Sequence, residues 1–381
     1  MKENQKFGRP PVDFNPIEVT FGPDFVNRIK EFEVKDEFPF LSDTSDYMPS
    51  GNPLRVVGVE LEENPPYSII TQAVHHIAGL SARGNIQVIG GAAGFELGNI
   101  PTMDELLKGL EGRTDLPDGF RHAREIYRAA NDLDANIITG GTQSGVMALI
   151  SSMYVADYIL NSRVIEAASL RARLLQEDPL RVYDGKGPAL FHIVPGSATI
   201  FPGNEQVKKE NWPSPLAPCT GFISVNGGKG WGEEGSTLEK SSYVTSFIPA
   251  YDHAVASLPR FDQQYSSRVA LVMNGGPLTI LEAKRALHAD YPATLLILKG
   301  TGRFADLLAT SVENEYALPS EDHPIWDLGR IKEDYSKGDY AKEFGIVLDY
   351  LRNNPSRANI FIAGNEGLTS RIRSLMTRTP L

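Results

Sequence analysis

Short apolar runs that end in glycine recur along the chain and predict most of its strands. The runs are rich in β-branched residues and do not alternate with polar positions, which is typical of strands buried on both faces of a parallel sheet. They begin at Asn85, Asn136, Leu190, Gly221, Val269, Leu295 and Asn359.

Between most of these runs, apolar residues recur with the period of a helix. "PTMDELLKGL" also places Thr102 and Glu105 in the spacing of a capping box, and the apolar stretch after Gly145 predicts one long or broken helix. Strands that alternate with helices predict an α/β fold. We therefore expect a Rossmann-like, doubly wound, mostly parallel sheet with helices on both faces, whose ligand site lies beyond the carboxyl ends of the strands.

Two segments break this alternation. Residues 1–80, of which the first 50 are rich in Pro, Phe and Asp, are predicted as an N-terminal arm that packs on the core. Residues 81–381 are then a single Rossmann-like domain. Within that domain, the proline-rich loop near 197–220 is long enough to act as a lid, because long ordered loops are often functional.

Composition and charge narrow the class of partner. The chain has 381 residues, 41% of them hydrophobic, and a formal net charge of -11, which argues against binding to nucleic acid or to an anionic membrane. Its apolar runs are shorter than the roughly 20 residues of a membrane helix. We expect a cytoplasmic protein with small-molecule or protein partners. The single cysteine, Cys219, excludes an internal disulfide, and no metal or cofactor is expected.

The glycines that follow the strands are the first candidates for ligand binding. Glycine lets the backbone come close to a ligand, and the amides at the start of the next helix point at it with partial positive charge. Phosphates are the usual ligands of such turns. The sequence contains neither GxxxxGK[ST] nor GxGxxG followed by a ribose-binding acid, so P-loop and ordinary NAD-dependent chemistry are poorly supported.

Several longer stretches resemble a known family. "NIITGGTQSGVMALI", "RVALVMNGGPLTILEAKRAL" and "ATLLILKGTGRFADLLA" are similar to the cytoplasmic N-terminal homology region of the melastatin-type TRP channels (TRPM). "QVIGGAAGF" and "FISVNGGKGWGEEGSTLEK" match two further segments, so the resemblance covers about residues 85–315 in order. It implies the LSDAT branch of the SLOG superfamily, a Rossmann-like group that includes ADP-ribose-binding TRPM regions and the LOG phosphoribohydrolases.

The resemblance implies that four glycine turns bind the ligand, which would be ADP-ribose or a related or cyclic nucleotide. The residues that match are Gly90, Gly91, Ala92, Gly140, Gly141, Thr142, Gly145, Asn274, Gly275, Gly276, Thr279, Glu282, Gly300, Gly302 and Arg303. Arg303 could hold a phosphate through two hydrogen bonds, or it could form a salt bridge with Asp306.

Glu282 has two interpretations. LOG enzymes carry PGGxGTxxE, and residues 274–282 keep two of its glycines, Thr279 and Glu282. The resemblance therefore implies a catalytic role for Glu282. Thr279 and Glu282 also have the spacing of a capping box, which gives the carboxylate a structural role. The arginine that precedes this strand in LOG enzymes has no clear counterpart, because Arg260 and Arg268 do not stand in its helical pattern.

Three functions fit these observations. The first is a SLOG-type sensor that binds a nucleotide signal, in prokaryotic signalling or antiviral defence, and acts on a partner protein or through a homo-oligomer. The alternative is an enzyme that hydrolyses the N-glycosidic bond of a nucleotide, with Glu282 stabilising the ribosyl transition state. The third is a scaffold whose glycines only make turns. The apolar stretch "MALISSMYVADYIL" could pack on a second subunit as well as on the sheet.

Overall fold

The computed structural model describes ten main stretches of the chain. They are residues 16–21, 54–62, 84–91, 101–141, 145–175, 190–201, 214–225, 268–288, 292–320 and 337–377, with the isolated positions 65–66, 68–70, 73, 204 and 207. The strands are β1 (Pro16–Phe21), β2 (Leu54–Leu61), β3 (Gly84–Gly90), β4 (Ala135–Thr139), β5 (Leu190–Pro195), β6 (Thr199–Ile200), β7 (Ser214–Pro215), β8 (Gly221–Val225), β9 (Val269–Met273), β10 (Thr294–Lys299) and β11 (Ala358–Ile362). The helices are α1 (Met103–Leu110), α2 (Asp118–Leu133), α3 (Gly145–Leu175), α4 (Pro277–His288), α5 (Arg303–Glu313), α6 (Lys337–Asn353) and α7 (Leu368–Met376).

Nine of these strands form one sheet in the order β1-β2-β8-β5-β4-β3-β9-β10-β11. Every neighbouring pair in it is parallel except β1 and β2, which are antiparallel. The chain runs outward from β3 through β4, β5 and β8 in one direction, and from β9 through β10 and β11 in the other. The order therefore reverses between β3 and β9, and this reversal is where a doubly wound sheet opens a ligand crevice at its carboxyl edge.

The strands are buried on both faces, as their unbroken apolar runs predict. In β9, Val269 and Leu271 pack into a core with α1, α2, α3 and α7, whereas Ala270 and Val272 pack into a second core with α4, α5 and α6. Successive side chains of a strand point to opposite faces, so one apolar run supplies both cores. The predicted α/β fold, with helices on both faces of a mostly parallel sheet, is confirmed.

Two local helix predictions are confirmed as well. Thr102 caps α1: its Oγ1 accepts a hydrogen bond from the Glu105 amide at 3.3 Å, and the Glu105 carboxylate accepts one from the Thr102 amide at 2.8 Å. The amide and the hydroxyl of Thr102 both donate to the Glu105 carboxylate, which lowers the pKa of Glu105. The apolar stretch after Gly145 is one helix, α3, and the side chains of its first half, such as Leu149 and Met153, are buried within the chain. Packing on the sheet therefore accounts for that apolar surface.

The segment predicted as an arm contributes two strands to the main sheet. They are β1 and β2, which lie at one edge of it. In the predicted lid, β6 and β7 form a small parallel sheet, and Ile200, Leu216 and Cys219 are fully buried. These described parts of the loop pack against the domain. The boundaries of the arm, the domain and the lid stay predictions.

Candidate functional site

Four adjacent strands end in the turns that the sequence predicts as ligand-binding. The turns are 90–91 after β3, 140–141 after β4, 274–276 after β9 and 300–303 after β10, and we call them together the carboxyl-edge site. Parallel strands end at the same edge of a sheet, so these turns form one continuous row centred on the reversal between β3 and β9. Gly145 starts α3 beside this row. Ala92 and Thr142 lie outside the described residues.

The turns after β3 and β9 approach each other so closely that only glycine fits. A Cβ on Gly91 would lie 3.0 Å from the Cα of Gly275, and a Cβ on Gly90 would lie 2.8 Å from the carbonyl oxygen of Met273. The carbonyl of Gly91 also accepts a hydrogen bond from the amide of Val146, in the first turn of α3, at 3.3 Å. The backbones of the two turns therefore pack directly against each other at the sheet reversal.

The turn after β9 has an unusual backbone. Asn274 has φ 51 and Gly275 has φ 96, both in the left-handed region. Asparagine tolerates that region better than most residues, whereas a Cβ on Gly275 would meet the Oγ1 of Thr279 at 2.6 Å. The amide of Asn274 donates to the Oγ1 of Thr301, at 2.9 Å. This bond ties the β9 turn to the β10 turn.

Arg303 is the positive charge of the carboxyl-edge site. It is the first residue of α5 and has φ 49, a strained conformation for an arginine. Its Nη2 would lie 3.3 Å from a Cβ placed on Gly276, so the guanidinium lies over the β9 turn. Partial burial lowers the pKa of Arg303 below its ordinary value. The group still carries its charge at neutral pH, because the ordinary pKa of arginine lies far above neutrality.

The start of α5 does not offer the free amides that the glycine-turn argument assumes. The amides of Phe304 and Ala305 donate to the carbonyl oxygens of Gly275 and Asn274, at 3.1 and 2.9 Å. The carboxylate of Asp306 accepts a hydrogen bond from the amide of Gly300. These helix donors therefore hold the β9 turn in place, and the guanidinium of Arg303 is the group of this helix start that could bind an anion.

The capping-box interpretation of Glu282 is wrong. Helix α4 begins at Pro277, so Thr279 lies inside its first turn, and the Thr279 amide donates to the carbonyl of Gly276 at 3.0 Å. Glu282 is half-buried in the second turn, roughly 7 Å along the helix axis from Pro277. The Cα of Glu282 is therefore about one turn further from the carboxyl-edge site than the start of α4.

Arg268 lies at the wrong end of the sheet to serve the carboxyl-edge site. It immediately precedes β9, and its Nη2 donates to the Oε1 of Gln87 at 3.2 Å. A strand of five residues spans roughly 17 Å, so Arg268 and the β9 turn are separated by about that distance. Arg260 lies outside the described residues.

A buried polar chain lies beneath the β4 turn, and the sequence analysis does not identify it. The Oγ1 of Thr139 lies 3.0 Å from Nδ1 of His192, and the Oγ of Ser151 lies 3.3 Å from its Nε2. Burial lowers the pKa of His192 to about 3, so the ring is neutral at physiological pH. In the sequence, this chain is indicated by His192, a histidine in the middle of an otherwise apolar strand.

A concave surface lies at the β11 edge of the described sheet, next to the β10 turn, where a Cβ on Gly300 would lie 3.3 Å from the Cβ of Ala363. A groove of about 490 Å³ is lined by Ile360, Phe361, Ile362, Asn365, Gly367, Ser370, Arg371 and Ser374. We call it the edge groove, because β11 ends the described sheet and α7 lies beside it. Its lining includes none of the predicted site residues. We give more weight to the carboxyl-edge site, because it lies where the strand order reverses.

The described stretches also bear on metal binding and on membrane insertion. In these stretches, no group of three or more His, Cys, Asp or Glu side chains is placed to hold a metal ion. Of the helices described here, none has both the length and the apolar character needed to cross a membrane.

The sheet order and the turns at its reversal define a Rossmann-like α/β domain, and comparison with known proteins shows which family it resembles. Residues 176–330 match the family model described as "SLOG in TRPM, prokaryote". The TRPM cation channel of Drosophila melanogaster is 27% identical over 271 residues, which make up 69% of this chain and 11% of the channel. The predicted SLOG resemblance is confirmed. The family match includes the β9 and β10 turns, whereas the β3 and β4 turns precede it.

Proposed function

We propose that this chain is a sensor that binds a nucleotide of the ADP-ribose type at the carboxyl-edge site. The place of Arg303 is the observation that carries the proposal, because its half-buried guanidinium lies over the bare backbone of Gly276. Guanidinium groups bind phosphate through paired, charge-assisted hydrogen bonds. In a chain with a net charge of -11, a positive group held at the sheet reversal favours an anionic ligand at that point.

The length of the site favours a ligand larger than a single phosphate. The turns after β4, β3, β9 and β10 lie on four neighbouring strands, so the row spans roughly 14 Å. Glycines keep much of this row free of side chains. A dinucleotide-like ligand with a base, two riboses and a diphosphate could extend along it, with its phosphates near Arg303.

Sensing is favoured over hydrolysis by the position of Arg268. In LOG enzymes an arginine before this strand takes part in the site, whereas here Arg268 lies at the amino end of β9 and donates to Gln87. This position does not support an arginine acting together with Glu282 on a glycosidic bond. A role of the sensor in signalling or antiviral defence, through a partner protein or a homo-oligomer, is part of the proposal and rests on the family resemblance.

The direct experiment is calorimetry with a panel of ligands and one arginine variant. ADP-ribose, NAD, AMP and cyclic ADP-ribose are titrated into the wild type, with adenosine as the ligand that lacks phosphate. We expect a phosphate-containing nucleotide to bind and Arg303→Gln to weaken that binding roughly tenfold to a hundredfold, because a hydrogen bond to a charged group contributes about 1.5–3 kcal/mol.

Arg352→Gln is the matched control for this experiment. Arg352 is an exposed arginine on α6, paired with Asp349, at the end of the helix that leads towards the start of β11 and so away from the carboxyl edge. The Arg352→Gln variant should bind the nucleotide with the affinity of the wild type. Equal affinity in the Arg303 and Arg352 variants, or no nucleotide binding in the wild type, would contradict the proposal.

The same mixtures distinguish sensing from hydrolysis. After incubation, the released base and ribose phosphate are quantified by chromatography for the wild type and for Glu282→Gln. We expect intact nucleotide in both cases. Release by the wild type that disappears in Glu282→Gln would establish the glycosidase instead.

A further inference from the structure

The buried chain of polar groups under the β4 turn joins three elements. Thr139 is the last residue of β4, His192 lies in β5, and Ser151 lies in the second turn of α3. All three are at most 1% exposed. A neutral imidazole has one donor and one acceptor nitrogen, so the ring can bond hydroxyls on both sides, and it also hydrogen-bonds the backbone of Pro218 and Phe191.

The same chain extends to the backbone of the site. The amide of Gly141 donates to the Oγ1 of Thr139 at 3.1 Å, and the carbonyl of Gly141 accepts from the amide of Ala217 at 2.8 Å. Gly141 has φ 74, and a Cβ on it would lie 2.5 Å from the Cβ of His192. The turn is therefore held by two hydrogen bonds while it rests directly on the histidine.

We propose that His192 is a positioning residue for the ligand, because it links the β4 turn to the start of α3. Through Thr139 the ring fixes the Gly141 amide, and through Ser151 it fixes the helix that begins at Gly145. The backbone of these two elements meets the ligand on the β4 side of the carboxyl-edge site. The inference rests on the proposed function, because it assigns to His192 the geometry of that nucleotide site.

The test compares Thr139→Val with Thr139→Ser. Valine keeps the shape and removes the hydroxyl, whereas serine keeps the hydroxyl. Without ligand, we expect hydrogen exchange of the Gly141 amide to rise at least about tenfold in the valine variant and to stay within about threefold in the serine variant. Calorimetry should show the same difference between the two variants. Nucleotide affinity should fall about tenfold in Thr139→Val and stay unchanged in Thr139→Ser.

Ser151→Ala is the second variant, in case Thr139→Val does not fold. It leaves the direct bond between Thr139 and the Gly141 amide in place and removes the hydroxyl at Nε2 of His192. We expect a smaller rise in Gly141 exchange and a smaller loss of affinity than in Thr139→Val, and no change in either would contradict the role of His192. Valine and serine variants with equal affinity for the nucleotide would overturn the inference. Equal hydrogen-exchange rates of the Gly141 amide in all variants, measured without ligand, would also overturn the inference. The inference can therefore fail while the proposed function stands. A wild type that binds no nucleotide contradicts the proposed function, whatever the exchange rates are.

Discussion

The two halves of the carboxyl-edge site differ in how they meet a ligand. The β9–β10 half carries the charge of Arg303 and two non-glycine residues in the left-handed region, Arg303 and Asn274. The described turns of the β3–β4 half, 90–91 and 140–141, are uncharged backbone, and Gly141 packs over the neutral ring of His192. Only the first half lies in the segment that matches the SLOG family model. The contrast suggests that one half supplies attraction for an anion and the other supplies a fixed shape.

Gly141→Ala should have the largest effect on stability. Its φ of 74 is unfavourable for alanine, and the new Cβ would overlap His192 at 2.5 Å. Strain and overpacking together are expected to cost about 2–5 kcal/mol of unfolding free energy in urea titrations. Gly112→Ala is the control, because Gly112 has φ 75 and no heavy atom within 4 Å of its Cβ position. Equal losses in the two variants would mean that contact with His192 is unimportant.

Acidification should destabilise the protein through His192. Its pKa is about 3 in the folded state, against an ordinary value near 6.5, so the unfolded chain takes up the proton first. The stability from the neutral ring is therefore complete above pH 6.5 or so, and is lost progressively as the pH falls towards about 3, at roughly 1.4 kcal/mol per pH unit. The measurement is urea unfolding at a series of pH values.

His192→Gln isolates this contribution from the other titrating groups. The variant lacks the ionisable ring, so its free energy of unfolding should fall less steeply over that range. The difference between the two slopes reports on His192 alone. Parallel slopes for the wild type and the variant would show that the ring is not held neutral by the fold.

Gly140→Ala should leave the free energy of unfolding almost unchanged and still lower the affinity for the nucleotide. A Cβ on Gly140 would have no heavy atom within 4 Å, and the backbone there is not left-handed. The unfolding free energy is expected to stay within about 0.5 kcal/mol of the wild type. Nucleotide affinity should fall if the ligand passes over the β4 turn. Unchanged affinity would confine the ligand to the β9–β10 half.

The sequence predicts the central strands of the sheet, because each of them is visible as one continuous apolar run. The seven apolar runs ending in glycine correspond to β3, β4, β5, β8, β9, β10 and β11. It does not predict β1 and β2 at the sheet edge, since a short edge strand such as "PIEVTF" is not a continuous apolar run. Nor could it identify the partners of the Phe304 and Ala305 amides, or the contacts of His192, because tertiary packing decides these.

Hydrogen exchange with and without ADP-ribose tests most directly whether one ligand occupies both halves of the carboxyl-edge site. We expect bound ADP-ribose to slow exchange at 90–91, 140–141, 274–276 and 300–303 together. The end of α6, residues 349–353, leads towards the amino end of β11 and is the internal control, so its exchange should be unchanged. Slowed exchange in the edge groove alone, or at none of the four turns, would contradict a nucleotide site at the carboxyl edge of this sheet.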